Sequence, residues 1–156
     1  MTDNILQDLT FYDYSDIEIE YTIKTKVYSI FQLTDILNID PTRGFSVNEN
    51  YESKQFNTNT KQVEKTDRQR PYTLWVINTK SLTQSNRFEE HADQLLNLLN
   101  PQLDNIKKFI ADKDSFEIIA FIYMTFNKEE HFGFGSKSTL FRQFIDISHY
   151  IEWRIK

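Results

Sequence analysis

From Ile17 to Lys24 apolar and polar residues alternate strictly, with Ile17, Ile19, Tyr21 and Ile23 on one side and Glu18, Glu20, Thr22 and Lys24 on the other. Successive side chains of a strand point in opposite directions, so this pattern predicts a half-buried strand. Ser29 and Gln32 then stand at capping-box spacing, and Ile30, Phe31, Leu33, Ile36 and Leu37 form an apolar helical stripe. The helix should end near Asn38, because Pro41 biases Asp40 away from helical backbone and Gly44 lets the chain turn.

Residues 46–71 are mostly polar, with Val47, Tyr51, Phe56 and Val63 as widely spaced apolar positions, and read as a polar loop or insertion with one irregular strand near Thr58 to Glu64. Tyr72 to Thr79 is β-branched and aromatic on both faces, the mark of an interior strand. Asn86 and Glu89 open the longest helical stripe, Phe88, Leu95, Leu96, Leu99, Leu103, Ile106 and Ile110, which Pro101 should kink or split because its ring meets the carbonyl of Asn97.

Phe116 to Phe126 is the most apolar segment and predicts a central strand. A Gly-containing stretch, His131 to Gly135, precedes a Ser-initiated helix carrying Leu140, Phe141, Phe144, Ile145 and Ile147, and in a last strand Ile151, Trp153 and Ile155 alternate with polar residues. The order βα, ββ, α, β, α, β predicts one α+β domain over residues 1–156, with 1–16 as an N-terminal arm. Its sheet should be mainly antiparallel with helices largely on one face, because polar alternation in the first and last strands demands a solvent-facing side. Strand followed by Ser-capped helix occurs twice, which would suit two ferredoxin-like halves.

Composition narrows the chemistry. The 156 residues include no Cys, which excludes disulfides, thiolate zinc sites, iron–sulfur clusters and a cysteine nucleophile. A net charge of -5 argues against general affinity for nucleic acid or anionic membrane. The first forty residues are rich in acids and the next forty locally basic. Met1 to Thr10 lacks a basic segment followed by an apolar one, and the longest wholly apolar run is Ile118 to Met124, so the expected location is the cytoplasm.

Candidate catalytic motifs are weak. Gly133 to Thr139 (GFGSKST) has Ser136 between Gly135 and Lys137, whereas a phosphate loop needs Gly-Lys-Ser adjacent; a loop and helix cap is the simpler account. The triplets Glu89-Glu90-His91 and Glu129-Glu130-His131 hold metal-ligand types, but adjacent helix residues diverge by about 100 degrees and cannot converge on one ion. No Ser sits in a G-x-S-x-G turn, and His149 adds nothing specific. Neither a metal nor another cofactor is expected, and the balance leans against an enzyme.

Four features coincide in order: Leu37-Asn38-Ile39-Asp40-Pro41-Thr42 ending a first helix, Trp75 on a strand, Glu89-Glu90-His91 opening a Leu-rich helix, and a Gly-Phe-Gly, helix, strand ending. The sequence resembles the bacterial family called domain of unknown function 4279 over roughly residues 17 to 155. That resemblance implies an α+β domain, no assigned reaction and no catalytic residues to carry over.

The remaining expectation is binding. Phe11, Tyr12, Asp13, Tyr14 and Asp16 interleave aromatics with acids, as protein interfaces do, and suggest a partner surface, such as that of an immunity-like antagonist of a basic bacterial toxin. A second class is an anion, small-ligand or nucleic-acid module using the basic 54–75 segment with Lys54, Lys61, Lys65, Arg68 and Arg70; acids within the same segment make a solvated surface the simpler reading. A small-ligand pocket would be sought where Arg43, Gly44, Arg70 and Trp75 could converge, although Trp75 alone reads as core.

Overall fold

The computed structural model describes residues 14–126 and 138–155. The chain runs β1 (Tyr14–Thr25), α1 (Ile30–Leu37), β2 (Arg43–Phe45), β3 (Asn50–Asn57), β4 (Gln62–Gln69), β5 (Thr73–Asn78), α2 (Phe88–Leu99), α3 (Leu103–Ala111), β6 (Phe116–Phe126), α4 (Ser138–Ile147) and β7 (Tyr150–Ile155). Five strands form one sheet in the order β2-β5-β1-β6-β7, and β3 and β4 form a separate pair.

Three pairings of the main sheet are antiparallel and β6 with β7 is parallel. The alternation seen in β1 is the organising feature: Ile17, Ile19, Tyr21 and Ile23 face the helices, and their register partners Trp75 and Ile77 on β5 and Ile118, Ala120 and Ile122 on β6 join them. Leu33 and Leu37 of α1, Phe88, Leu95 and Leu99 of α2, Ile106 and Phe109 of α3, and Leu140, Phe144 and Ile147 of α4 close this single core. Each fully buried aliphatic or aromatic side chain there contributes about 1.5–3 kcal/mol by leaving water. The two strand–helix units return differently. From β1 the chain comes back beside it antiparallel as β5, whereas β6 and β7 are adjacent and parallel through α4.

Local chemistry sets the helix ends. Ser29 accepts from the Gln32 amide at 3.3 Å while Gln32 Oε1 accepts from the Ser29 amide at 2.8 Å, and Asn38 takes the left-handed conformation at φ 48° to stop α1. Pro101 splits the long apolar stripe into α2 and α3 through a 3-10 turn over Asn100–Gln102, where a missing N–H costs little. The N-cap of α2 is Arg87, not Asn86, and makes no side-chain cap bond.

Two expectations change. Gly44 lies in the edge strand β2, not in a turn, and what it supplies is space: a Cβ there would meet the Leu74 carbonyl and stand 2.5 Å from Ile30 Cδ1. Residues 46–71 form a regular hairpin rather than a loop. Pairing runs from Asn50 opposite Gln69 to Asn57 opposite Gln62, and the turn is closed by Asn57 Oδ1, which accepts from the amides of Asn59 and Thr60, with Lys61 left-handed at φ 52°. All eight residues of β4 are exposed, so both faces are wet and no apolar alternation marks the strands. The hairpin joins the body through Asn48 N to Arg70 O at 2.8 Å and Arg70 N to Glu49 O at 2.9 Å.

Candidate functional site on the outer face of the sheet

The alternation that buries Ile17 to Ile23 turns Asp16, Glu18, Glu20, Thr22 and Lys24 to the other side of β1. Register places Glu20 between Asn78 and Phe121, and Glu18 opposite Tyr123. Glu20 is 8% exposed, and its carboxylate is satisfied from two sides: Arg43 Nη2 donates to Oε2 at 2.9 Å and Asn78 Nδ2 donates to Oε1 at 3.1 Å. The same Asn78 amide donates to Glu18 Oε2 at 3.2 Å, so one neutral side chain bridges two carboxylates. Lys80 Nζ pairs with Asp16 at 2.5 Å. On the β6 side Phe121 and Tyr123 stack at 6.1 Å, and the Arg154 guanidinium, paired with Glu152 at 2.8 Å, lies 4.5 Å from the Phe121 centroid. This side of the sheet is charged and aromatic, and its centre is closed, since Glu20, Thr22, Val76 and Ile119 are buried while Asp16 at its margin is exposed.

The pocket expected around Arg43, Gly44, Arg70 and Trp75 is not assembled. Arg43 pairs with Val76 in register and faces outward, while Trp75, fully buried, faces the helices from the neighbouring position on β5. Its indole Nε1 has no hydrogen-bond partner among the described residues, where Trp75 acts as a packing residue that bears a desolvation cost. Gly44 is the close-approach position described above. Arg70 sits at the root of the hairpin with its guanidinium 4.2 Å from the Phe45 ring and 3.8 Å from the Tyr51 ring, where it clamps the hairpin to the body. Of the expected partner surface, Phe11, Tyr12 and Asp13 lie outside the described residues; Tyr14 begins β1, and Asp16 is exposed beside Lys80.

The His residues within the described segments have structural roles. His91 is fully buried; its Nε2 meets the Ser85 carbonyl at 2.8 Å, which can only accept, so Nε2 carries the proton and Nδ1 accepts from the Thr79 hydroxyl at 2.6 Å. Thr79 Oγ1 in turn accepts from the Ile19 amide at 2.8 Å. His149 Nδ1 accepts from the Ile118 amide at 2.9 Å and its Nε2 donates to the Ile110 carbonyl at 3.0 Å, stitching α3, β6 and the start of β7. Among the described residues no group of His, Cys, Asp and Glu is arranged to hold a metal. Glu129-Glu130-His131 and Gly133 to Lys137 lie outside the described residues.

Two open grooves are lined by described residues. One of about 360 Å³ runs between α2, α3 and α4, past Asp93, Asn97, Lys107 and Asp146; the other, about 330 Å³, lies at the end of β1 and β6 beside Tyr72, Lys24 and Lys113. No described helix is long and apolar enough to cross a membrane. What the sequence did not reveal is the Glu20, Arg43 and Asn78 network: alternation put Glu18 and Glu20 on one face, but their partners arrive from β2 and β5 through strand pairing that local pattern does not encode.

No curated protein and no solved structure matches the chain. The family described as Domain of unknown function (DUF4279) matches it over residues 15–155, nearly its whole length, and the α+β fold agrees with what the resemblance implied; the chain belongs to that family.

Proposed function

We propose that this chain is a non-catalytic binding protein that recognises a basic protein partner, in the way an immunity protein antagonises a bacterial toxin. The observation that carries the reading is the placing of Asp16 and Glu18 on the outer side of β1, flanked on β6 by Phe121 and Tyr123, with Glu20 sheltered beneath Arg43 as the anchor of the row. Carboxylates steer a basic partner, and aromatic surface on a rigid sheet offers contact area at low entropic cost. Antagonism of this kind places the protein in the cytoplasm, where the toxin would act.

The test is capture from the source cells by the wild-type chain and by the double variant D16K/E18K, followed by growth assays on the retained protein. A basic protein that arrests growth when expressed alone, is silenced by the wild-type chain and escapes the double variant is the expected result. Retention of a small ligand with no protein, or equal silencing by the double variant, overturns the reading. The nucleic-acid alternative has less support, since Glu52, Glu64 and Asp67 are interleaved with the cations of the hairpin and lower its net positive charge. Salt-dependent oligonucleotide binding would revive it.

A further inference from the structure

We propose that the outer edge of β4 is a self-association surface, at which a second copy of this chain pairs antiparallel about a two-fold axis through Thr66. The strand reads Gln62-Val63-Glu64-Lys65-Thr66-Asp67-Arg68-Gln69, every residue of it is exposed, and among the described residues it pairs only with β3. Such an edge holds a row of unpaired backbone donors and acceptors, and this one carries neither proline nor a register shift to blunt it.

Charge selects the occupant. In an antiparallel self-pairing centred on Thr66, Lys65 stands opposite Asp67 of the second copy and Glu64 opposite Arg68, and symmetry repeats each contact. Pleating keeps the signs sorted. Glu64, Thr66 and Arg68 share one face and Lys65 and Asp67 the other, so every pair meets on a common side.

The lone hairpin also contains a conflict that a second copy relieves. Its register sets Glu52 directly opposite Asp67 and Lys54 directly opposite Lys65, two like-charged pairs eased only by the diagonal contact of Lys65 with Glu52. Pairing two hairpins through β4 lines up Glu52 and Asp67 with Lys65 and Lys54 of the second copy, and the reverse row follows by symmetry. The product is a four-stranded sheet, β3-β4-β4-β3, with two-fold symmetry.

The experiment is sedimentation of the full chain over a concentration series at low ionic strength, with Lys65→Glu, Asp67→Lys and their equimolar mixture. Each substitution turns a like-charged pair within the hairpin into an opposite one, with Lys54 or with Glu52; Lys65→Glu also gives up the diagonal pair with Glu52, a loss that recovery by the mixture distinguishes from a disrupted hairpin. The wild type should dimerise and dissociate as salt rises. Either variant alone should lose about tenfold or more in association, because the repulsive contact occurs twice. The mixture should recover it, since glutamate at 65 then faces lysine at 67 while the native Asp67 faces the native Lys65. As a positional check, Thr66→Cys in this cysteine-free chain should form a cross-chain disulfide on mild oxidation, because directly opposite residues bring Cα atoms to about 4.5–5.5 Å. A wild type that stays monomeric, single variants that dimerise like it, or a mixture no better than its components overturns the proposal.

Discussion

The phenol of Tyr21 donates to the main-chain carbonyl of Ile147 at 2.6 Å, joining the middle of the central strand to the last turn of α4 across 126 residues of sequence. The carbonyl is one that a helix end cannot satisfy internally, and the phenol is fully buried, so each group meets the other's need. Tyr21→Phe should cost about 1–2 kcal/mol in urea unfolding, with the fold retained by circular dichroism.

The same burial pushes the Tyr21 phenol far above its ordinary range. Below about pH 10 the phenol is protonated in both states and its contribution is complete; above it the unfolded chain releases a proton that the folded chain keeps. Stability should therefore fall by about 1.4 kcal/mol per pH unit on the alkaline side from this residue alone. Comparing urea midpoints of wild type and Tyr21→Phe from pH 9 to 11 checks it, and an identical slope in both would refute the assignment.

Gly44→Ala should destabilise by about 1–3 kcal/mol, since the added methyl meets a main-chain carbonyl and the tip of Ile30. The loss should be local. Amide exchange at residues 42–46 should accelerate more than in the centre of β1, because among the described residues β2 is an edge strand paired with β5 alone.

His91→Ala strands the Thr79 hydroxyl and the Ser85 carbonyl and leaves a cavity at a fully buried site, a cost of about 3 kcal/mol. His149→Ala frees the Ile118 amide and the Ile110 carbonyl at a half-buried site that water can reach, and should cost less, about 2 kcal/mol. Denaturant midpoints give the ranking directly.

Arg43 and Glu20 should couple by about 0.5–1 kcal/mol in a double-mutant cycle with Arg43→Ala and Glu20→Gln. The carboxylate is sheltered, but the guanidinium is 56% exposed and screened by solvent. A coupling indistinguishable from zero would reduce the pair to a surface contact.

Four of the five main-sheet strands and the ends of α1 were legible because their signals are local: alternation from Ile17 to Lys24, the Ser29 and Gln32 box, and likewise Pro101 inside an apolar stripe; the three-residue β2 read as a turn and the α2 cap as Asn86 because neither carries such a signal. The hairpin was not. Its stability comes from cross-strand pairs and turn bonds such as those of Asn57, and with water on both faces the usual period of two never appears. The platform was half legible. Glu18 and Glu20 could be assigned to one face, whereas Arg43 and Asn78 reach them only through tertiary register. Arg43 and Trp75 looked like pocket partners because a sequence does not tell which face an edge residue takes once its strand is paired.

The hairpin's two ends, Glu49 and Arg70, are hydrogen-bonded to each other, so the chain leaves the body and re-enters it at one point. That geometry makes residues 50–69 a graft site: excised and replaced by a short turn, they would take with them no main-sheet strand and no core side chain. The length of this arm is therefore a free variable of the architecture, open to extension, shortening or exchange for a foreign segment while the five-stranded body stays the same.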